Sequence, residues 1–322
     1  MQFQSIVLLA LLSAGQWAGI CMAADMQAAV VSSGKLVLQT KPIPEPAAGE
    51  VRIKVRAAAW NPVDGIYRNR EGQVPGFDAS GVIDAVGPRV TAWKPGDEVI
   101  VNAPGGSYAQ YVVAPIESVA KKPQKISFEE AAGIPVVGET AYRALVEVAR
   151  LGKGQRILIH GGAGGVGSAA VQIAKAQGAY VIATASPRNH DFLKSIGASE
   201  VIDYNTVKFE ERVKDVDVVL NTVDLDTGVR SLDVLKPNGI LVSIVKATPP
   251  EQCLAKKVRC VGLDRSKGPT DSVLMAKVGE LVDAGKYKVN VDGTFPLADA
   301  QQAWDVGMER RTRGKLVIVV PQ

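Results

Sequence analysis

Apolar and polar residues alternate over short stretches of the first part of the chain, from about residue 35 to 119. Glu50–Ala59 alternates cleanly in its first half, as a strand with one buried face does. Further short strands are predicted at 81–86, 98–101 and 108–113, with Pro-Gly turns at 95–97 and 104–106. This pattern predicts a compact, barrel-like all-β unit.

From about residue 154 the pattern changes to strands alternating with helices. Strands are predicted at 156–160, 180–185, 201–203, 216–220 and 239–245, with helices at 166–176, 188–196 and one ending at 232–235. Short connections between such elements predict a parallel sheet covered by helices on both faces. Helices at 271–284 and 297–306 and a strand at 315–320 follow. We expect this tail to pack against the first unit, so that the α/β unit is an insertion.

A glycine-rich loop follows the first of these strands directly and precedes its helix. Gly162, Gly164 and Gly167 satisfy G-x-G-x-x-G, which provides a tight turn, close approach of the backbone to a pyrophosphate, and close packing of helix on strand. The positive end of the helix attracts phosphates. The loop therefore predicts a dinucleotide site, with these binding residues: Gly162, Ala163, Gly164, Gly165, Val166 and Gly167.

The end of the second α/β strand indicates which dinucleotide binds. An NAD site would place Asp or Glu there to hold the ribose 2′-hydroxyl, whereas residues 183–188 contain no acid. Ser186 and Arg188 can donate to a 2′-phosphate, although Arg188 could equally be a solvated residue in the first turn of a helix. The absent acid favours NADPH.

Composition excludes several classes of function. The chain has 322 residues, enough for two domains, and 37 Lys and Arg against 33 Asp and Glu give a net charge of +4 without a polybasic run. Neither nucleic acid nor an acidic membrane surface is implied. No Ser-His-Asp arrangement, paired-carboxylate motif or P-loop lysine supports a hydrolase or a kinase.

The first residues differ from the rest. Residues 6–20 are nearly all apolar and uncharged, and small residues at Ala23 and Ala24 follow. This predicts a cleavable signal segment over residues 1–24 and an exported, periplasmic or secreted, protein without a membrane anchor in its mature form. The segment has no Lys or Arg before its apolar stretch. A misplaced start codon, with a cytoplasmic protein, is the alternative.

Three cysteines occur, and Cys21 lies in the predicted leader. Cys253 and Cys260 could bridge in an oxidising compartment, but two thiols do not form a disulfide framework. Free thiols are the expectation.

Several separate motifs, in order, resemble the medium-chain dehydrogenase/reductase superfamily, and most closely its zinc-independent quinone oxidoreductases of the zeta-crystallin type. Besides the glycine loop, they lie at residues 59–64 (AWNPVD), 75–81 (PGFDASG), 94–97 (KPGD), 105–109 (GGSYA), 138–141 (GETA) and 313–315 (RGK). The resemblance implies an α/β protein with a GroES-like β-barrel domain (25–144 and 289–322) and a Rossmann doubly wound parallel-sheet domain (145–288). The active-site cleft would lie between the two domains.

Zinc-dependent members of this superfamily place a cysteine where Asn61 stands and a His-Glu pair at Phe77 and Asp78. Here no cysteine lies between Cys21 and Cys253, and the chain has 2 histidines. Without thiolates or clustered imidazoles a tetrahedral zinc site is not expected in the catalytic domain. Metal-assisted alcohol oxidation is therefore disfavoured.

The resemblance places Asn61 and Thr140 beside the nicotinamide, Tyr204 near the adenosine phosphate, and Lys315 facing the cofactor. Each has a structural alternative: a turn before Pro62 for Asn61, a helix cap for Thr140, packing for Tyr204 and a strand-edge charge for Lys315.

The candidate catalytic residues are Asn61, Tyr67 and Thr140. Asn61 could donate a hydrogen bond to substrate or carboxamide, and Tyr67 could supply a proton, although an exposed position for Tyr67 is equally compatible with the sequence. Asp64 is expected to be a local cap.

Hydride transfer from a dihydronicotinamide needs mainly positioning and an electron-poor acceptor. We therefore expect an NADPH-dependent reductase of a small quinone or enone. The alternatives are a non-catalytic NADPH-binding or sensing module and, less favoured, a metal-free alcohol dehydrogenase. The resemblance also suggests a homodimer formed through sheet edges.

Overall fold

The structure, a computed structural model, describes residues 24–322, so the predicted leader lies outside the described residues except for Ala24. The strands in chain order are β1 Asp25–Ser32, β2 Lys35–Pro42, β3 Glu50–Ala59, β4 Asp78–Val86, β5 Glu98–Asn102, β6 Tyr111–Pro115, β7 Val119–Lys121, β8 Arg156–Ile159, β9 Tyr180–Thr184, β10 Glu200–Ile202, β11 Val216–Asn221, β12 Leu235–Ser243, β13 Arg259–Gly262, β14 Val291–Pro296 and β15 Lys315–Val319. The α-helices are α1 Phe128–Ala132, α2 Pro135–Tyr142, α3 Gly165–Ala176, α4 His190–Ser195, α5 Phe209–Arg212, α6 Leu225–Arg230, α7 Pro250–Ala255, α8 Asp271–Asp283 and α9 Ala300–Met308.

The β-rich unit is built on a seven-stranded sheet in the order β14-β15-β3-β4-β5-β7, with β6 also paired to β3. Its central strand, β3, buries Val51, Ile53 and Val55, while the residues between them are partly exposed. This is the alternation that the sequence predicts for a strand with one buried face. β1 and β2 form a separate antiparallel hairpin. The last strand, β15, pairs antiparallel with β3 and so completes the sheet from the far end of the sequence.

The Rossmann unit is a six-stranded parallel sheet in the order β10-β9-β8-β11-β12-β13. The strand order reverses between β8 and its neighbours β9 and β11, which creates the crevice where open α/β sheets bind ligands, at the carboxyl ends of the strands. The glycine loop follows β8 and therefore opens at this crevice.

A continuous apolar core joins the two units. It runs from Ile100 of β5 through Ile134 and Leu145 to Ile157 of β8 and Met275 of α8, all of them fully buried. α2 continues as a π-helix over Arg143–Val148 and packs against both α3 and α8. The elements that separate the two sheets are thus buried on both sides, which fixes the position of α2 beside the crevice.

Cys253 of α7 and Cys260 of β13 are joined in a disulfide, with their Cα atoms 6.1 Å apart. This differs from the expectation of free thiols. α7 ends just before β13, the edge strand of the parallel sheet, and packs against it, so the short connection brings the two side chains together. In the part of the chain that the structure describes, no helix is long and apolar enough to cross a membrane.

Candidate active site

The glycine loop turns the chain from β8 into α3 within a few residues. Gly161 has a φ of 65°, which favours glycine, and Gly164 is the N-cap of α3 in an extended conformation without a side-chain cap. The first N–H groups of a helix have no acceptor inside it. The amino end of α3 therefore presents unpaired donors and a positive dipole at the crevice.

The glycines of the loop have different physical roles. A Cβ on Gly167 would lie 2.1 Å from Gly161 O, and one on Gly162 would lie 2.9 Å from Ala183 Cβ. Both positions are closed by the protein itself. A Cβ on Gly164 would meet only Gly161 O, at 3.5 Å, an ordinary contact. Packing does not require glycine at Gly164, whereas close approach of a phosphate would, so the loop fits a dinucleotide.

A chain of hydrogen bonds holds the loop from behind. Ser231 Oγ donates to Thr227 O at 2.6 Å, so it accepts from His160 Nε2 at 3.0 Å. His160 Nδ1 is then left to accept from Thr184 Oγ1 at 3.2 Å, and that hydroxyl also takes the Gly161 N–H at 3.3 Å. Burial lowers the pKa of His160 to about 3, with the charge of Arg230 adding to the effect. His160 is therefore a neutral structural residue.

The end of β9 carries no acid, and the C-terminal segment covers it. Arg188 donates to Arg311 O at 2.6 Å, and Arg313 donates to Arg188 O at 2.9 Å and to Asn189 Oδ1 at 3.0 Å. Ser186 lies at the start of the short 3-10 turn that contains Arg188. The predicted phosphate-binding pair thus lies beside two further arginines. Tyr204, beyond β10, is 58% exposed.

A buried polar cluster lies where the β-rich unit meets the glycine loop. Lys315 Nζ donates to Trp60 O at 2.8 Å, to Asp78 Oδ2 at 2.9 Å and to Asn61 Oδ1. Asn61 Nδ2 donates to the same Asp78 oxygen at 2.9 Å and to Ala59 O at 3.3 Å. Both amide hydrogens of Asn61 are bonded within the protein, so donation to a substrate would have to replace one of these bonds.

Lys315 connects this cluster to the nucleotide loop. Gly314, its neighbour, donates its N–H to Ala163 O at 2.9 Å, and a Cβ on Gly165 would lie 3.4 Å from Lys315 Cδ. The stem of Lys315 therefore passes the start of α3, while its ammonium turns into the β-rich unit. α2 joins the same cluster, because Val136 N donates to Asp78 Oδ1 at 2.7 Å.

A second acid lies directly behind Asn61. Asp64 Oδ2 accepts from Asn61 N at 2.8 Å, which closes a cap on the 3-10 helix Pro62–Tyr67, and from Tyr108 Oη at 2.7 Å. Burial raises the pKa of Asp64 to about 7, and the nearby charge of Asp78 adds to this effect. Its other oxygen, Oδ1, is buried and has no hydrogen-bond partner among residues 24–322.

Two of the candidate catalytic residues lie apart from this cluster. Tyr67 is buried, donates to Pro104 O at 3.1 Å and packs edge-on against Phe77. Thr140 lies inside α2 rather than at its start, five residues after Pro135, so it is not the expected helix cap. Its hydroxyl is half-buried and lies 3.5 Å from Glu139 Oε2.

Glu139 itself belongs to a buried ion-pair network. It pairs with Arg143, which also contacts Asp271 at the start of α8 at 3.2 Å and donates to the carbonyls of Lys267 and Pro269 at 3.0 Å. The network ties the loop before α8 to α2, and thereby fixes one wall beside Thr140.

Sequence reasoning assigned no functional role to Asp78, Asp64 or Tyr108. One signal was present: Asp78 begins an apolar strand and Lys315 begins another. Two opposite charges at the ends of buried strands must be paired, since an unpaired buried charge is costly.

In the described residues 24–322, no group of three or more His, Cys, Asp or Glu side chains is placed to hold a metal ion. The side-chain oxygen atoms of Asn61 and Asp78 instead accept hydrogen bonds from the Lys315 ammonium.

Comparison with known proteins gives two family matches. Residues 47–124 match the alcohol dehydrogenase GroES-like domain, and residues 196–318 match a domain described as zinc-binding dehydrogenase. Among solved structures, the quinone oxidoreductase from Coxiella burnetii superposes with a TM-score of 0.84 at 34% identity, over 92% of this chain and 100% of that one.

Curated relatives fall into two size classes. The chloroplast envelope quinone oxidoreductase homolog of Arabidopsis thaliana is 32% identical, over 86% of this chain and 92% of its own length. The 2-methylene-furan-3-one reductase of Solanum lycopersicum is 35% identical, over 86% and 73%. The phthioceranic/hydroxyphthioceranic acid synthase of Mycobacterium tuberculosis is 33% identical, but this chain spans only 14% of its length. The chain thus belongs to the medium-chain dehydrogenase/reductase superfamily, in its zinc-independent quinone oxidoreductase branch.

Proposed function

We propose that this protein is an NADPH-dependent reductase that transfers a hydride to a quinone or an α,β-unsaturated carbonyl without a metal ion. The observation that carries the proposal is the contact between the glycine loop and the buried Lys315–Asn61–Asp78 cluster through Gly314 and Gly165. A dinucleotide site and a polar site thus share one wall. Relatives named as quinone oxidoreductases and as an enone-type reductase support the same chemistry.

The residues of this chain would bind the cofactor at the glycine loop. The amino end of α3 would receive the pyrophosphate, and Gly164 would allow its close approach. When bound, a dihydronicotinamide supplies the hydride. The protein then has to hold an electron-poor acceptor against it and to stabilise the negative charge that arrives on the acceptor oxygen.

The choice of NADPH rests on the charge at the end of β9. Carboxylates are absent from residues 183–190 and guanidinium groups converge there, from Arg188 on one side and Arg313 on the other. The 2′-phosphate of NADPH would meet positive charge at this point. For NADH, the site lacks the acidic residue that usually binds the ribose 2′-hydroxyl.

Fluorescence titration of the purified protein with NADPH and NADH, followed by addition of 1,4-benzoquinone and a panel of enones, tests this proposal. Preferential binding of NADPH followed by its oxidation is the expected result. An Arg188→Gln variant should lose the preference for NADPH over NADH, while Arg212→Gln, at an exposed position of α5, serves as the matched control. Absence of NADPH oxidation with every acceptor would contradict the reductase assignment.

The second candidate is a non-catalytic NADPH-binding or sensing module. It is favoured by the apolar segment before the fold, because reduced nicotinamides are expected in the cytosol rather than outside it. Tight binding of NADPH without turnover of any acceptor would support this alternative.

We further infer that the chain is exported and that residues 1–24 are removed. The apolar stretch at 6–20 and a disulfide suited to an oxidising compartment support this location. Cell fractionation combined with N-terminal sequencing of the isolated protein tests it. A cytoplasmic protein that retains Met1 would contradict it.

A homodimer remains a proposal as well. Among residues 24–322, β13 is an edge strand of the parallel sheet, and a second copy could pair with its outer side. Light scattering coupled to size-exclusion chromatography should give twice the chain mass if the pairing forms, and the mass of a single chain otherwise.

A further inference from the structure

The Lys315 ammonium lies in a cage made of oxygen atoms. Its three acceptors are a main-chain carbonyl, Trp60 O, the side-chain carbonyl of Asn61, and one carboxylate oxygen of Asp78. An ammonium has three N–H groups, so every donor is used. Only 4% of the lysine side chain and none of the Asp78 side chain are exposed. A bound cation is coordinated by oxygen atoms in this way, and here the cation is the ammonium group of the chain's own Lys315.

The cage exists only because its parts hold one another. Asp78 accepts from Lys315 and Asn61 through one oxygen and from Val136 N through the other. Asn61 is held at both ends of its amide, with its oxygen on Lys315 and its nitrogen on Asp78. Removal of the ammonium would leave an uncompensated buried carboxylate and would release the amide oxygen of Asn61.

The cage also lies at the junction of five elements. β3 supplies the chain leading to Trp60 and Asn61, β4 supplies Asp78, α2 supplies Val136, and β15 supplies Lys315, whose stem passes Gly165 at the start of α3. The Lys315 ammonium thus connects the β-rich unit to the glycine loop that would bind the cofactor.

We propose that the Lys315 ammonium is a built-in cation that fills an oxygen-lined site and thereby positions the Asn61 amide and the Asp78 carboxylate for hydride transfer. Lys315 is a positioning residue in this view, because its own donors are all occupied within the protein. The inference rests on the proposed reductase function for its kinetic consequence, but the cation site itself does not depend on that function.

Replacement of Lys315 by alanine should empty the site, and a small cation should then be able to refill it. In Lys315→Ala, kcat for quinone reduction should fall by about 100-fold, the loss expected when reacting groups are displaced by about 1 Å. The affinity for NADPH should change by less than about threefold, since the phosphate loop is intact. Ammonium or methylammonium chloride should recover part of kcat and raise the melting temperature of the variant.

Two controls separate the cation from general effects. Tetramethylammonium chloride at equal ionic strength has the same charge but no N–H donor, so it should recover neither quantity. Lys236→Ala, which removes a lysine from the partly exposed ion pair with Asp217 at 3.0 Å, should respond equally to all the salts. Recovery by tetramethylammonium as large as that by ammonium would overturn the proposal.

A double variant keeps the proposal testable if Lys315→Ala does not fold. Asp78→Asn with Lys315→Met removes both charges, and it should recover stability relative to Lys315→Met while kcat stays low. Recovery of kcat together with stability would show that the pair is merely structural and would overturn the positioning role. If the unmodified protein reduces no quinone or enone, the proposed function fails, whereas the ammonium-dependent rise in melting temperature still decides whether the cation site exists.

Discussion

Tyr108 Oη donates a hydrogen bond of 2.7 Å to Asp64 Oδ2 at a point where neither side chain is exposed. Asp64 also holds the main chain at Asn61, so its protonation state is linked to the candidate site. Desolvation raises the pKa of Asp64 to about 7, although the hydrogen bonds from Tyr108 and Asn61 act to lower this pKa. His160, behind the glycine loop, is shifted the other way, to about 3. Asp64 and His160 therefore make opposite contributions to the pH dependence of the free energy of unfolding.

The Asp64 carboxyl should stabilise the fold on acidification. Its pKa is about 7 in the folded state and 3.8 for an ordinary aspartate, so the folded state holds the extra proton between these pH values. The free energy of unfolding therefore falls as the pH rises from about 4 to about 7, by about 2 kcal/mol between pH 5 and pH 7. In His160→Gln, which lacks the opposing contribution of the imidazole, urea unfolding should show higher stability at pH 5 than at pH 7. An unchanged or reversed slope would contradict the raised pKa of Asp64.

The His160 imidazole should act in the opposite direction. Its pKa falls from 6.5 to about 3 on folding, so the unfolded state takes up the proton first as the pH drops. Stability from this group is complete above about 6.5 and is lost as the pH falls towards 3, by about 2 kcal/mol between pH 7 and pH 5. Asp64→Asn should expose this loss, whereas in the unmodified protein the two contributions nearly cancel. If the free energy of unfolding had a similar slope against pH in the unmodified protein, His160→Gln and Asp64→Asn, the shifted pKa values of both Asp64 and His160 would be contradicted.

Two glycines of the loop should separate folding from cofactor binding. Gly167→Ala places a Cβ 2.1 Å from Gly161 O and should destabilise the protein by about 1–3 kcal/mol or prevent folding. Gly164→Ala meets only a contact at 3.5 Å, so its stability should change by less than about 1 kcal/mol. Its affinity for NADPH should nevertheless fall by about tenfold or more, because the methyl group obstructs the phosphate. Melting curves and fluorescence titration measure the two effects, and unchanged NADPH affinity in Gly164→Ala would contradict the proposed loop function.

The disulfide between α7 and β13 should contribute to stability. It closes a short loop with a sequence separation of 7 residues. In the chain-entropy description such a loop contributes about 2 kcal/mol. Cys253→Ser with Cys260→Ser should lower the free energy of unfolding by about this amount, and dithiothreitol should have the same effect on the unmodified protein but none on the double variant. Equal stability with and without dithiothreitol would contradict a closed bridge.

The sequence predicts the regular parts of this fold well, because their patterns are local. β3 has the predicted bounds, and the helix predicted at 166–176 is α3, one residue longer. The strand predicted at 156–160 ends at Ile159, since His160 already belongs to the turn. The helix predicted to end at 232–235 finishes earlier, at Arg230, and continues as a 3-10 turn through Asp233.

The elements that escaped prediction are short or depend on distant partners. β13 has four residues, and only its pairing with β12 makes it a strand. β1 has its register set by β2 and carries no independent signal beside the apolar stretch at 6–20. Helices α1 and α2 lie in a stretch where the sequence predicts no element apart from a helix start at Thr140. α1 packs against β3 and β4, and α2 packs against α3 and α8, so both helices are decided by tertiary packing.

The candidate site likewise contains one part that the sequence predicts and one part that it does not. The glycine loop could be predicted because all of its parts lie within a dozen residues. The cage around Lys315 could not, because Lys315 and Asn61 are 254 residues apart in the chain and no periodicity relates them. The family resemblance implies that Lys315 faces the cofactor, and the structure adds that its ammonium is bonded to Asn61 and Asp78.

The pairing of β15 with β3 has a consequence for the order of folding. The six strands of the Rossmann sheet come from one uninterrupted stretch, between Arg156 and Gly262, and can form as a unit during synthesis. β6 can pair early with residues 50–54 of β3, but the part at Ala57–Ala59 must wait for β15 until nearly all of this chain has been made, so this part of the edge stays unpaired in the meantime. A nascent protein would therefore carry the glycine loop, without its contact to Gly314, before it has a place for an acceptor. Its capacity to bind nucleotide would precede its capacity to react.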